Sequence, residues 1–466
     1  MGVVVALLFL SLLVLSNFHN LWTADAQTSN RIGVNYGRLG DNLPSSYQSI
    51  ELIHSMKAGQ VKLYDANPEI LKLLSGTDLH VAIMVPNHDI ITIASNQSIA
   101  NEWIHTNLLQ DYPETKIRFI LVGNQVLSGN PDIWPHLVPA MQRIKNSLKI
   151  LNIKNIKIST PLAMDVLETT FFPPSNATFR FEIESVILPL LHFLNGTKSY
   201  FSINVYPYFP WSDNPTSIDL DFALMRGNHS HTDLSSGLIY ANLLDEMLDS
   251  LHFAMAKLGH HTIRIMITET GWPHAGDFDQ PGANIYNAAT YNRNLIQKFT
   301  ADPPVGTPAR PNAVIPVFIF SLFDENRKSG PGTERNWGLV SSDGRPVYEI
   351  DMSGTGVTEY GPLPAARNNR PYKGKLWCVV GRGANSSELE QAISKVCNQG
   401  NGTCDALMPG KECYRPISPT WHGSYAFSSY WAKFRSVGAN CYFNGLAQQT
   451  TRNPSRGSCE FPSVTL

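Results

Sequence analysis

Residues 263–273, IRIMITETGWP, change character halfway along. The first half is a β-branched apolar run of strand length. The second half is a carboxylate followed by the Gly, Trp and Pro of a turn. Seven further runs of this kind punctuate the chain: 31–36 (RIGVNY), 60–64 (QVKLY), 79–85 (LHVAIMV), 116–122 (KIRFILV), 155–160 (NIKIST), 200–205 (YFSINV) and 313–320 (AVIPVFIF). Amphipathic segments lie between them. In 133–151 the apolar positions are Ile133, Leu137, Ala140, Met141 and Ile144, a helical repeat, and 237–258 repeats it with Leu243, Met247, Leu248, Leu251 and Met255. Strands alternating with helices imply a parallel sheet. Eight such units in about 320 residues predict an α/β fold of the (β/α)8 TIM-barrel type. No G-x-G-x-x-G or Walker A run points to a nucleotide-binding open sheet instead.

In such a barrel, chemistry sits where strands end. The strand ends carry Tyr36, Tyr64-Asp65, Pro86-Asn87, Gly123-Asn124-Gln125, Pro161, Tyr206-Pro207-Tyr208, Glu269-Thr270-Gly271-Trp272 and Phe323-Asp324-Glu325. Aromatic faces cover the C–H surfaces of a sugar, and amides and carboxylates bind its hydroxyls. No His or Cys cluster occupies a strand end, so neither a metal nor a cofactor is expected.

Charged residues make up only 16% of the 466, and Lys+Arg 36 against Asp+Glu 38 leaves a net charge of −2. That balance argues against a nucleic-acid binder, which would carry a concentrated basic face. All six cysteines lie in the last part of the chain, at Cys378, Cys397, Cys404, Cys413, Cys441 and Cys459. None forms a C-x₂-C pair, so disulfides in a small secreted domain are expected rather than zinc. At the other end, residues 3–15 (VVVALLFLSLLVL) are apolar and Ala24-Asp25-Ala26 is a cleavage signature. A helix of that length spans roughly 20 Å, too short for a roughly 30 Å hydrocarbon core, so a signal peptide rather than a membrane span is expected. Secretion gives meaning to six glycosylation sequons, at Asn96, Asn176, Asn195, Asn228, Asn385 and Asn401. The expected organisation is a signal peptide over 1–26, a barrel over 27–350, a linker over 351–374 and a disulfide-stapled C-terminal domain over 375–466.

The motifs IGVNYG (32–37), VKLYDANP (61–68), NVYPYF (204–209), ITETGWP (267–273) and FDENRK (323–328) resemble those of the plant β-1,3-glucanases of glycoside hydrolase family 17. The resemblance implies retaining hydrolysis of internal β-1,3-glucosidic bonds, as in callose, by two carboxyl groups. It places the nucleophile at Glu269. Glu325, Lys328 and Glu334 would polarise that nucleophile and hold substrate hydroxyls. Tyr36, Tyr64, Asn124, Tyr206, Trp272 and Phe323 would complete the sugar cleft. One position departs: where the family reads V-G-N-E, this chain reads Val122-Gly123-Asn124-Gln125. Gln125 stands at the acid/base position and has no proton to give. The chain is then a slowed hydrolase, with Glu334 or Asp324 as surrogate acid, or a non-catalytic glucan-binding wall protein, or position 125 carries a sequencing or allelic difference of one codon base. The tail resembles the X8 module of carbohydrate-binding family 43, which implies the pairs Cys378–Cys441, Cys397–Cys404 and Cys413–Cys459 and a β-1,3-glucan ligand. Tyr425, Tyr430, Trp431 and Tyr442 are its candidate stacking residues. A monomer with β-1,3-glucan as its partner is expected.

Overall fold

The computed structural model describes residues 32–168, 172–356, 359–415 and 418–466. The expected signal peptide lies outside the described residues. The barrel strands are β1 (Ile32–Tyr36), β2 (Gln60–Leu63), β3 (His80–Val85), β4 (Ile117–Val122), β5 (Lys157–Ser159), β6 (Pro161–Ala163), β7 (Tyr200–Asn204), β8 (Arg264–Thr270) and β9 (Val317–Ile319). Their order is β5-β4-β3-β2-β1-β9-β8-β7-β6, and every pairing is parallel. Only Thr160 separates β5 from β6. β5 pairs with β4 and β6 pairs with β7, so the interrupted fifth strand closes the barrel. The run at 155–160 is therefore one strand that turns between its two neighbours. The last strand is shorter than its apolar run, because the strand begins only after Pro316, which has no N–H for a ladder bond.

Two apolar layers hold this wall. The larger lies between strands and helices. Helix Trp134–Ile150 buries Leu137, Ala140, Met141 and Ile144 there, and helix Leu243–Lys257 buries Leu244, Met247, Leu248, Leu251 and Met255. The second helix begins later than its sequence segment, where the Asn242 side chain accepts the Asp245 N–H. The smaller layer fills the lumen with Ala82, Met84, Phe119, Leu121, Met266 and Phe318. It plugs the barrel between its two mouths. Among the described residues no helix is long and apolar enough to cross a membrane.

The C-terminal part has its own core around Cys378, Ala426, Phe427 and Trp431. A central strand, Lys375–Val380, pairs with Ala447–Thr450 and Val464–Thr465. Disulfides join Cys378 to Cys441, Cys397 to Cys404 and Cys413 to Cys459. Trp431 and Tyr425 are buried in this part, so neither is the sugar-stacking surface expected of it; Tyr430 and Tyr442 remain partly exposed. All six sequon asparagines are exposed.

Candidate active site

Strand β8 does not run regularly to its end. Ile267 pairs with Ile203, but Glu269 pairs with the very next residue, Asn204. This bulge sets two residues of β8 against one of β7 and re-aims the side chain at 269. Glu269 is buried and its carboxylate is fully engaged. Lys62 donates to Oε1 at 2.7 Å, the Tyr64 hydroxyl donates to Oε1 at 2.7 Å, and the Tyr206 hydroxyl donates to Oε2 at 2.8 Å. Burial alone would raise the pKa of this carboxyl. The Lys62 charge, with the hydrogen bonds from Lys62, Tyr64 and Tyr206, outweighs burial and holds it below the usual carboxylate range. Burial in turn lowers the Lys62 pKa, against the raising effect of Glu269, and pushes both tyrosines well above the ordinary phenol. The site thus presents an ionised carboxylate ringed by three donors.

The end of β4 faces it. Gly123 has φ +71°, and a Cβ there would stand 2.5 Å from Val126 Cγ2. Gln125 follows at φ 50°, a left-handed conformation uncommon outside glycine. Its backbone N–H is fixed by the Pro161 carbonyl at 2.8 Å. Asn124 between them is held by a relay. Thr268 donates to Asn204 Oδ1 at 2.7 Å, and Asn204 donates to Asn124 Oδ1 at 3.1 Å. With its oxygen engaged, Asn124 has its Nδ2 donor to offer to the cleft.

The loop after β9 supplies the third side. Glu325 is buried, accepts the Leu39 N–H at 2.7 Å and pairs with Lys328 at 3.2 Å. Its carboxylate lies so close to Gly37 that a Cβ there would meet Oε1 at 2.5 Å, which explains the glycine closing IGVNYG. Lys328 Nζ lies 4.0 Å from the centre of the Phe320 ring. Burial pushes the Glu334 carboxyl up. These sides enclose a cleft of about 740 Å³, lined by Tyr36, Tyr64, Asn124, Gln125, Tyr206, Glu269, Glu325, Lys328 and Glu334.

Two expected cleft residues are elsewhere. Trp272 is 1% exposed and donates its indole N–H to the Gly282 carbonyl, packed among Tyr208, Trp211 and Tyr291. Phe323 is 1% exposed and lies edge-on to Tyr36. Both are supports beneath the cleft. The aromatic lining comes instead from Phe209, Phe320 and Trp337, each packed against Tyr206. Asp324 is also withdrawn, binding His274 Nε2 and the Gly338 N–H at 2.9 Å, so it is no surrogate acid. Lys62 went unnoticed in the sequence. Its signal is a lone Lys inside an apolar strand, between Val61 and Leu63.

A strand-end carboxylate in an aromatic, amide-lined cleft on the C-terminal mouth of a (β/α)8 barrel defines a glycosidase-type site. The chain belongs to Glycosyl hydrolases family 17, whose model matches residues 32–352, and an X8 domain model matches residues 376–448. It is 59% identical over 441 residues to the "Probable glucan endo-1,3-beta-glucosidase A6" of Arabidopsis thaliana, covering 94% of this chain and 92% of that protein. It is 35% identical to the "Glucan endo-1,3-beta-D-glucosidase" of Olea europaea, covering 98% of both. Among solved structures, the β-1,3-glucanase and allergen CJP38 of Cryptomeria japonica pollen superposes with a TM-score of 0.65 at 39% identity, covering 69% of this chain and 99% of that one.

Proposed function

We propose that this chain is a secreted, monomeric protein acting on β-1,3-glucan through a retaining endo-hydrolase site slowed at its proton-donating step. The observation that carries the reading is the Glu269 carboxylate, kept ionised by Lys62 and aimed by Tyr64 and Tyr206. As nucleophile it attacks the anomeric carbon and the glycosidic bond breaks, the leaving oxygen taking its proton from water, to form a glycosyl-enzyme that a second water then hydrolyses. The Asn124 Nδ2 donor binds a sugar hydroxyl beside the reacting carbon, and Glu325 with Lys328 fixes the loop that covers it. Phe209, Phe320 and Trp337 provide faces for the glucan chain, and the X8 domain gives a second attachment to the same polymer.

Gln125 fills the position from which the leaving oxygen is protonated. A neutral amide can hydrogen-bond that oxygen and cannot give it a proton. General acid catalysis contributes about 10²–10⁴-fold. Gln125 also favours a second reading, a glucan-binding protein without turnover. Laminarin hydrolysis by the wild type beside Gln125→Glu decides between them. We expect slow wild-type turnover that rises by about two orders of magnitude or more in Gln125→Glu. Equal, rapid rates would remove the impaired-donor reading. Undetectable wild-type turnover with intact glucan binding would establish the binding protein.

A further inference from the structure

The barrel has a second large cavity at its opposite mouth, about 710 Å³ in volume. The lumen plug of Met84, Phe119, Leu121, Met266 and Phe318 separates it from the cleft. Five basic side chains line it: His80, Arg118, Lys157, Arg264 and Arg310. No Asp or Glu lines it. Among the described residues none of the five forms a salt bridge. The partners they do have are neutral. Arg264 donates to the Lys198 carbonyl at 3.2 Å and covers the Tyr200 ring, Arg310 donates to the His261 carbonyl at 2.8 Å, and Lys157 reaches the Thr197 carbonyl at 3.5 Å.

The charges therefore face one another across the mouth. Burial lowers the His80 pKa, and Arg118 and Lys116 lower it further against a weaker pull from Asp78. Burial also lowers that of Lys157, and Arg264, Lys145 and Lys198 add to it. On a chain of net charge −2, the four unpaired cations Arg118, Lys157, Arg264 and Arg310 in one concavity focus a positive potential.

We infer that this cavity is a binding site for an acidic oligosaccharide, one carrying a carboxylate on successive sugar units. The spacing of the cations selects that class. Arg118 and Lys157 sit on the neighbouring strands β4 and β5, with the neutral His80 beside them on β3 as a hydrogen-bonding neighbour, and neighbouring strands lie about 4.8 Å apart. Such a row matches single charges repeated along a chain better than one compact dianion. Gln60 and Asn155, which also line the cavity, offer hydroxyl partners, and Ile265 and Val314 offer apolar contact. The site goes beyond the glucan cleft and does not depend on it.

The test is calorimetric titration of the full-length protein with a short oligogalacturonate while a laminari-oligosaccharide saturates the cleft. Its methyl-esterified form, which lacks the charge, and inorganic phosphate are titrated in parallel. The oligogalacturonate should bind, with affinity that falls as salt rises. The Arg118→Ala, Lys157→Ala double variant should weaken it by about tenfold or more, with laminari-oligosaccharide binding unchanged. Equal binding of the methyl ester would overturn the proposal on the wild type alone. So would unaltered affinity in a folded double variant, or phosphate binding as tightly as the oligomer.

Discussion

At the scale of single residues, Lys62 governs the chemistry of Glu269. It is wholly buried, and its ammonium is the strongest influence opposing the effect of burial on that carboxyl. Lys62→Met leaves burial less opposed, so the Glu269 pKa rises. The carboxyl must be ionised to attack, so the acid limb of kcat/KM moves to higher pH. An aryl glucoside with a good leaving group reads this with Gln125 in place, because its departure needs no proton donor at that position. A limb that stays put would show that Lys62 does not set the ionisation. Glu269 itself was legible in the sequence, because a Glu before Thr-Gly-Trp-Pro ends an apolar run. Lys62 was not, for a physical reason. Gln60, Lys62 and Tyr64 alternate with apolar neighbours, which in an open sheet marks a solvated face. In a closed barrel that face is the lumen, and the same pattern hid His80, Lys157 and Arg264 at the opposite mouth. Trp272 and Trp337 show the related limit. Trp272 closely follows a strand, whereas Trp337 lies far along the closing loop and reaches the cleft because its carbonyl accepts the Ser321 N–H at 3.1 Å.

At the scale of elements, eight strands and their order around the barrel were readable from periodicity and turn residues. The interruption at Thr160 and the bulge in β8 were not, because both arise from closing the sheet. Helix Leu243–Lys257 carries a further feature that periodicity does not report. Asp249 is buried on it and accepts from Thr307 Oγ1 and, at 2.7 Å, from the Ala309 N–H, fastening the hairpin Gly306–Thr307/Arg310–Pro311 to the helix. Burial, against those hydrogen bonds, pushes its pKa up to about 6. The unfolded value is about 3.9. Between those two values the folded protein keeps a proton that the unfolded chain has lost, so stability falls as pH rises from about 4 to about 6. His252, one turn on, works oppositely. Burial, with Arg310 and His261, lowers it to about 4, so its contribution grows as pH rises through the same window. Asp249→Asn should remove the Asp249 part of the falling component and leave the rising His252 component in place. Denaturant melts at pH 4 and pH 6 should then differ from the wild-type pair by on the order of 2 kcal/mol, in favour of pH 6. An unchanged difference would mean Asp249 is ionised throughout.

At the scale of the molecule, the segment between the two parts is laid along the barrel. Asn368 accepts the Gly282 N–H at 2.7 Å on its carbonyl, Asn369 Oδ1 accepts from Asn287 at 2.8 Å, and Arg293 lies 3.7 Å from the Tyr360 ring centre. Its composition read only as a linker, since such contacts depend on the partner surface. The tail then docks on the loops that shape the cleft. Asp279 receives Arg435 and Gln449, both at 2.9 Å. Tyr442 donates to the Asn326 carbonyl at 2.9 Å and stacks 3.6 Å from the Arg335 guanidinium. Arg335 in turn donates to the carbonyls of Lys328 and Gly330 at 3.0 and 3.1 Å. Tyr442 is thus a positioning residue, one contact removed from the loop bearing Lys328 and Glu334. A stacked cation on a ring contributes about 0.5–2 kcal/mol. Tyr442→Ala should therefore weaken binding of a short laminari-oligosaccharide, too short to leave the cleft, by several-fold. Tyr442→Phe keeps the ring and should recover most of that loss. A tail that only holds polymer nearby would leave the short ligand untouched in both variants and lower affinity for laminarin alone, so the short ligand decides whether the tail helps to build the cleft.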